Sequence, residues 1–537
     1  MPFMKISVVQ ENPIIANFNH NLSLVKQALD NTSSDIVVFS ECFLTGYPPQ
    51  DLLLQSQFLS DLNVAIERLF NLSKSYPEQV IIMGSPYQKN SRLLNAALII
   101  QNGSLISYRA KQCLPEYDVF DEKRYFQTEC NDEPIVINGV KIGVLVCEDG
   151  WDISQQSPTI KLAQHDIDLC INISASPFYL NKQSDRLAVF SDQSKRLDAP
   201  ILYVNQIGAN NELIFDGASF LVSPEGELLW QAPSFITGKY VLDFENLAQL
   251  SLSAFLEQEA QYYEALVLGI KSYFQKTGFT KAVLGLSGGI DSAVAAVLLV
   301  DALGADNVIG ISMPSDYSSQ GSIDDALELA ENLGLSIVQV PIHDLFRHYK
   351  KALPYLLDEE KRGLAYENTQ ARIRGNIVMV HANSMNALAI ATGNKSELAV
   401  GYSTLYGDMC GALMILGDLF KTDVYRLAKF INRNTERIPL ASITKAPSAE
   451  LRPNQKDQDS LPEYDILDGI LKLWLEENCS FSEIEMQYSK DLVKKVIRLL
   501  EINEYKRKQA PPVLKLSKKA FGIGRRIPLV KGFQCSL

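Results

Sequence analysis

No run of about 18 apolar residues occurs in the 537-residue sequence, and even AVAAVLLVDAL is broken by Asp301. A membrane-spanning helix is therefore not expected. The opening residues, MPFMKISVVQ, alternate like a strand and lack the basic-then-apolar layout of a secretory signal. A soluble, cytoplasmic protein with no membrane partner is the expectation. Cysteine is sparse and unorganised: the eight residues form no CxxC pair and no Cys/His cluster at zinc spacing. They read as free thiols rather than as a disulfide framework. Basic charge is also short. Fifty Lys and Arg against 63 Asp and Glu leave a net charge of −13, which argues against a nucleic-acid partner. One local exception runs from Tyr505 to Leu537, with nine Lys or Arg and no Asp or Glu. Charge alone favours a solvated basic tail there, with a patch for a small polyanion such as a dinucleotide as the alternative.

What remains is ordinary globular material. Hydrophobic residues make up 46% and charged ones 21%, and the length exceeds what one core holds. The first half alternates β-rich runs (KISVVQ, DIVVFS, QVIIMGS, NAALII, KIGVLVC, DLCINIS, ILYVNQ, ASFLVS) with helical periodicity around 19–30, 57–75 and 183–197. GKYVLDF closes this unit near residue 245. The second half reads strand–helix–strand–helix: KAVLGLS, DSAVAAVLLVDALG, NVIGISM, SIDDALELAENLG, SIVQVP. That alternation predicts a parallel, doubly wound sheet. Polar, Pro-containing stretches at 447–463 and 509–515 read as mobile loops.

Three reactive side chains each follow a strand segment: Glu41 after DIVVFS, Lys111 at the end of LISYRAK, and Cys147 at the end of GVLVC. Strand ends on one sheet edge converge, and these three types suit amide hydrolysis through a thioester. A free thiol is mostly protonated at neutral pH, so the nucleophile needs a base, for which Glu41 is the candidate. An ammonium beside the developing oxyanion stabilises it, which suits Lys111. With the flanks FSECFLTGYPPQD, KQCLPEYDVFDEKRYF and INISASPF, the first half resembles the nitrilase, or carbon–nitrogen hydrolase, superfamily. The resemblance implies Glu122 as an auxiliary carboxylate near Lys111. It also places Tyr117, Ser176 and Lys182 at the amino-acid end of a glutamine substrate.

Between a strand and a helix of the second half lies LGLSGGIDSA. Gly288 and Gly289 allow close approach of an anion, Ser287 and Ser292 add hydroxyl donors, and the helix N-terminus points at the same place. There is no Walker A lysine and no GxGxxG. The segment resembles the pyrophosphate loop of N-type ATP pyrophosphatases, which implies ATP contacts from Gly285, Leu286, Ser287, Gly288, Gly289, Ile290, Asp291 and Ser292. Asp291 would also hold Mg²⁺. ATGNKSELAVGYSTLYGD resembles the second signature of NAD synthetases. By that resemblance Thr392, Lys421 and Ser448 contact ATP, and Glu397 is a second Mg²⁺ ligand. Asn368, Arg372, Glu397, Asp408 and Lys506 contact the dinucleotide deamido-NAD. One departure stands at Thr404, where ammonia-only relatives usually carry lysine.

Together the halves resemble glutamine-dependent NAD synthetases. The implied chain is α/β: a nitrilase-like αββα sandwich at 1–245, a linker at 246–257, and a doubly wound, mostly parallel ATP pyrophosphatase domain at 258–537. The implied reaction takes glutamine, ATP and deamido-NAD to NAD, AMP, pyrophosphate and glutamate, the final step of NAD biosynthesis. A homo-oligomer is implied as well. Another glutamine-dependent amidotransferase using the same ATP loop is the alternative, but such families lack the TGNKSEL–YGD pairing.

Overall fold

Val, Ile and Leu fill both faces of most strands in the first half, as a sheet covered on each side requires. In this computed structural model the described residues are all except 1–3, 31, 153, 155–156, 247–250, 356, 358–362 and 533–537. The chain divides into two compact units, Met1–Leu256 and Glu257–Leu537.

The first unit begins with strands β1 (Lys5–Gln10), β2 (Ile36–Val38), β3 (Val80–Lys89), β4 (Arg92–Gln101) and β5 (Ser104–Ala110). Then come β6 (Ile135–Ile137), β7 (Val140–Val146), β8 (Leu169–Ser174), β9 (Ile201–Asn205), β10 (Ile207–Asn210) and β11 (Leu213–Asp216). The last are β12 (Phe220–Val222), β13 (Leu228–Gln231) and β14 (Gly238–Asp243). Two six-stranded sheets result, ordered β14-β1-β2-β3-β4-β5 and β13-β12-β9-β8-β7-β6, with β10 and β11 as a separate hairpin. Each sheet has a parallel centre, β1-β2-β3 or β7-β8-β9, and antiparallel edges.

Alternation along the strands sorts the side chains into three layers. Ile6, Val8, Ile36, Val38 and Ile82 face Ile142, Val144, Ile171 and Ile173 between the sheets. The opposite face of the first sheet packs Val37, Phe39, Ile81 and Met83 under helices α1 (Phe18–Asp30) and α2 (Ser56–Ser73) through Val25, Leu29, Leu62 and Leu69. Helices α3 (Pro158–Ala163) and α4 (Lys182–Leu197) cover the second sheet, seating Leu162, Phe190 and Leu197 on Tyr203, Phe220 and Val222. Each such side chain contributes about 1.5–3 kcal/mol when fully buried. The layering is α–β–β–α.

In the second unit five strands are all parallel, in the order β17-β16-β15-β18-β19. They are β15 (Ala282–Gly285), β16 (Val308–Ser312), β17 (Ser336–Gln339), β18 (Leu388–Ala391) and β19 (Leu413–Met414). The main helices are α5 (Gln258–Thr277), α6 (Ile290–Leu303), α7 (Gln320–Leu333), α8 (His343–Ala352), α9 (Leu364–Met385), α10 (Lys395–Val400) and α11 (Lys421–Ile431). The chain builds outward from β15 to β17, then returns to place β18 on the other side of β15. That reversal opens a crevice beyond the carboxyl ends of β15 and β18. Helix α6 explains the near-membranous AVAAVLLV: Ala293 through Leu299 are all buried, so the helix is a core element apolar around its circumference. Among the described residues, no helix is long and apolar enough to cross a membrane.

Two segments differ from their reading in the sequence. Residues 509–515 are packed, not loose: Val513 bridges Met414 as a parallel partner, and Val513 and Leu514 are buried. Their apolar side chains outweigh the two prolines before them. The basic tail is likewise not simply solvated, since Arg507, Lys515 and Arg525 are buried and Glu504 pairs with both arginines. Within the stretch 246–257, Leu252 bridges Gln231 and Ser253 N donates to Gln231 O, while 247–250 lie outside the described residues.

Candidate active sites

Lys111 follows β5 directly, Cys147 follows β7 directly, and Glu41 lies three residues past β2. Lys111 Nζ, with no exposed surface, lies 2.7 Å from Glu41 Oε1 and 2.8 Å from Glu122 Oε1. Asn95 Nδ2 donates to Glu41 Oε1 at 2.7 Å, Ala175 N to Glu41 Oε2 at 2.9 Å, and Tyr47 OH to Glu122 Oε1 at 2.8 Å. Burial by itself would lower the Lys111 pKa, but Glu122 and then Glu41 hold it well above the usual lysine range. Burial raises Glu122, with Lys111 opposing and Glu41 adding to the rise. Cys147 sits at φ 48°, the left-handed region, and opens a turn spanning Cys147–Gly150. Burial pushes its thiol well above the ordinary range, and Glu41 is the strongest charge acting on it, ahead of Lys111. At rest Cys147 is thus a protonated thiol, and a base would be needed to make it nucleophilic.

Asp149 was not singled out in the sequence, yet it ties the site together. Its Oδ1 accepts from Gln112 N at 2.9 Å and Cys113 N at 2.8 Å, just past Lys111. Its Oδ2 accepts from Val146 N at 3.3 Å, just before Cys147. One buried carboxylate therefore fixes the ends of two strands. Glu148 was missed too: Tyr117 OH donates to both of its oxygens at 3.0 Å. Their place directly after Cys147 in CEDGW was the available signal. Ser176 is buried, and its N donates to Asn205 Oδ1 at 2.9 Å. Lys182 Nζ lies 3.9 Å from the Trp151 ring centre and 4.6 Å from that of Tyr179. Burial, then Arg186, lowers its pKa to about 8.

In the second unit a cleft of about 340 Å³ opens at the carboxyl ends of β15 and β18. Its wall includes Gly285, Leu286, Ser287, Gly289, Ile290, Asp291, Ser292, Thr392, Glu397, Asp408, Lys421 and Ser448. Gly288 completes the loop at φ 73°, and a Cβ there would stand 2.1 Å from Ser322 O, so only glycine fits. Ser287 Oγ and Ser292 Oγ are 3.2 Å apart, and Gly289 N donates to Ser287 Oγ at 3.2 Å. Behind the loop, the first-turn amides of α6 direct partial positive charge at the cleft. Lys421 Nζ is paired with Asp291 and lies 3.4 Å from Glu397 Oε1. Burial raises Glu397 to about 8, with Lys421 opposing and Asp291 reinforcing. Asn394, overlooked in the sequence, donates to Asp291 Oδ1 at 3.0 Å and caps α10 by accepting from Glu397 N at 3.0 Å. Arg374 and Lys445 also line the cleft.

Asn368, Arg372 and Lys506 form a second cluster around residues 401–408. Arg372 Nε donates to Leu405 O at 3.1 Å, and Lys506 Nζ donates to Gly401 O at 2.7 Å and Ser403 O at 2.8 Å. Thr404 Oγ1 donates to Asn368 Oδ1 at 2.9 Å and Thr404 N to Asp408 Oδ1 at 2.6 Å. Asp408 belongs to both groups. Burial lifts its pKa to about 6, and the Thr404 amide opposes that shift.

Each half of the chain matches a known family. The carbon–nitrogen hydrolase family model matches residues 5–248 and the NAD synthase family model residues 262–510. A glutamine-dependent NAD(+) synthetase of Synechocystis sp. is 42% identical, covering 98% of this chain and 99% of that protein. One from Acinetobacter baylyi is 39% identical over 99% of both chains. Among solved structures, a glutamine-dependent NAD+ synthetase from Acinetobacter baumannii, in complex with adenosine diphosphate, superimposes with a TM-score of 0.79 at 35% identity over 100% of both chains. Two family models in one chain, matched along almost its whole length by proteins of one kind, lead to one assignment: the chain belongs to the glutamine-dependent NAD(+) synthetases.

Proposed function

We propose that the first unit hydrolyses glutamine through a Cys147 thioester and that the second uses the ammonia to amidate deamido-NAD at the expense of ATP. The observation that carries this reading is the pairing of a buried Glu41–Lys111 contact beside Cys147 with a Gly288-dependent anion loop in the same chain. Glu41 takes the thiol proton as Cys147 attacks the amide carbon, and Lys111 faces the oxyanion that develops. Tyr117, Ser176 and Lys182 hold the amino-acid end. In the cleft, the nicotinate carboxylate of deamido-NAD attacks the α-phosphorus of ATP, pyrophosphate leaves, and ammonia then displaces AMP. Activation is needed because a carboxylate oxygen is a poor leaving group.

Asp291 and Glu397 fit Mg²⁺, because both carboxylates converge on one cation, Lys421, in a cleft built for phosphates. Mg²⁺ takes one or two protein carboxylates and completes its shell with phosphate and water, and it would offset phosphate charge here. Ser287, Ser292, Thr392, Lys421 and Ser448 face the nucleotide. Asn368, Arg372, Glu397, Asp408 and Lys506 face deamido-NAD. We also infer a cytoplasmic homo-oligomer without nucleic-acid partners, in keeping with the acidic balance. The direct test supplies glutamine, Mg-ATP and deamido-NAD and looks for NAD, AMP and pyrophosphate together. ADP in place of AMP rejects cleavage between the α- and β-phosphates.

Two results follow from the contacts. A glutamine carboxylate needs Lys182 as a cation, and with a pKa of about 8 that charge is present below pH 8 and lost above it. The KM for glutamine is therefore flat near pH 7 and rises above pH 8 by up to about tenfold per pH unit. Lys182→Arg stays charged and keeps the profile flat. The same rise in that variant would assign the titration to another group. Lys506 holds the carbonyls of Gly401 and Ser403. Lys506→Ala raises the KM for deamido-NAD by about tenfold, the loss of one charge-assisted contact, and leaves that for glutamine unchanged. Equal changes in both would remove Lys506 from the dinucleotide site.

A further inference from the structure

Arg186 lies on α4 one turn beyond Lys182 and has no exposed surface. A guanidinium is tolerated in such a place only when its charge is balanced and its N–H groups are used. Its Nη1 stands 2.7 Å from Asp216 Oδ2 and donates to Gln183 Oε1 at 3.2 Å. Its Nη2 donates to Ser176 O at 2.9 Å and to Ser176 Oγ at 3.3 Å. Asp216 ends strand β11 of the separate hairpin. The next residue, Gly217, accepts from Asn205 Nδ2 at 2.9 Å, and Asn205 Oδ1 accepts from Ser176 N at 2.9 Å. Ser176 is thus held at N, O and Oγ by two routes that start from adjacent residues of the chain.

A buried ion pair is often replaceable by apolar side chains at no loss of stability. This one also leaves Arg186 Nε and Asp216 Oδ1 buried without a hydrogen-bond partner among the described residues. Stability alone is a poor account of it. The use of the fork on one serine points elsewhere. Glu41 Oε1 is held by Lys111 and Asn95, away from the Arg186 fork, and only its Oε2 contact, from Ala175 N at 2.9 Å, comes from the segment beside Ser176.

We propose that the Arg186–Asp216 pair is a positioning device for the amino-acid end of glutamine, acting through Ser176 and not on the reacting atoms. The inference rests on the glutaminase reading of this unit, with Ser176 at that end of the substrate. Loss of the pair shifts Ser176 and weakens recognition of the α-amino acid group, while Cys147 keeps its reactivity. A displacement near 1 Å is enough to cost about tenfold to a hundredfold.

Two electrophiles separate these effects on the full chain. 6-Diazo-5-oxonorleucine carries the amino-acid end of glutamine, and iodoacetamide does not. Attachment at Cys147 is followed by mass spectrometry. In Asp216→Asn and in Arg186→Lys, the first probe reacts about tenfold or more slowly while iodoacetamide stays within about twofold. The KM for glutamine rises by a similar factor, and ammonia-dependent NAD formation is unchanged. Arg186→Lys keeps the charge balance but not the fork, so it carries the test if Asp216→Asn disturbs folding. Equal slowing of both probes, or of neither, overturns the proposal. Failure of the amino-acid probe to label Cys147 in the unaltered protein would instead overturn the glutaminase reading beneath it.

Discussion

Cys147→Ala lowers glutamine-dependent NAD formation by at least about 1,000-fold and leaves the reaction with ammonium salts within about twofold. The first half of that result follows from the thioester: alanine offers no nucleophile. The thiol of Cys42 is engaged elsewhere, donating to Asn95 Oδ1 at 3.4 Å. The second half follows from the separate location of the ATP cleft in the Glu257–Leu537 unit. The gain with ammonium is greatest at alkaline pH, where more of it is NH₃. Folding is not at issue, since the substitution removes one sulfur from a site held by Lys111, Asn95 and Asp149. Glutamine-dependent synthesis surviving in Cys147→Ala would reject the nucleophile assignment.

Much of the fold was legible because its strands are short, apolar and punctuated. KISVVQ and DLCINIS coincide with β1 and the body of β8, and the 293–300 run declares itself by being apolar without interruption. What escaped was short or depended on partners distant in the chain. The hairpin β10–β11 spans four residues per strand and belongs to neither main sheet, so neither periodicity nor length marks it. Residues 509–515 look polar and Pro-rich, yet Met414 gives Val513 a partner about a hundred positions earlier. At the sites, groups that perform chemistry carried motif signals, while those that hold them did not. Asp149 is one acidic residue among 63 Asp and Glu, and only folding shows that its two oxygens gather three amides from two distant stretches of chain. Asn394 is similar: nothing in the sequence set it apart, and only the folded chain shows it capping a helix and reaching Asp291.

Asp291→Asn suppresses NAD synthesis by at least about 100-fold with glutamine and with ammonium alike, and leaves glutamine hydrolysis intact. The exchange is nearly isosteric, and the amide oxygen still accepts from Asn394, which now donates to Asp291 Oδ1 at 3.0 Å. Lys421 keeps Glu397 at 3.4 Å, and loss of the Asp291 charge removes one cause of the raised Glu397 pKa and favours its ionised form, so the buried ammonium is not stranded. What disappears is one of the two negative charges facing the cation position. Divalent-cation affinity in such sites scales with carboxylate charge, so the Mg²⁺ concentration for half-maximal synthesis rises while excess Mg²⁺ restores part of the rate. Glutamine consumption without added ATP reports on the first unit alone and serves as the control for folding. A change in this variant confined to the glutamine-driven reaction would place Asp291 in ammonia delivery instead of at the nucleotide. An unshifted Mg²⁺ dependence would leave its carboxylate without a cation to hold.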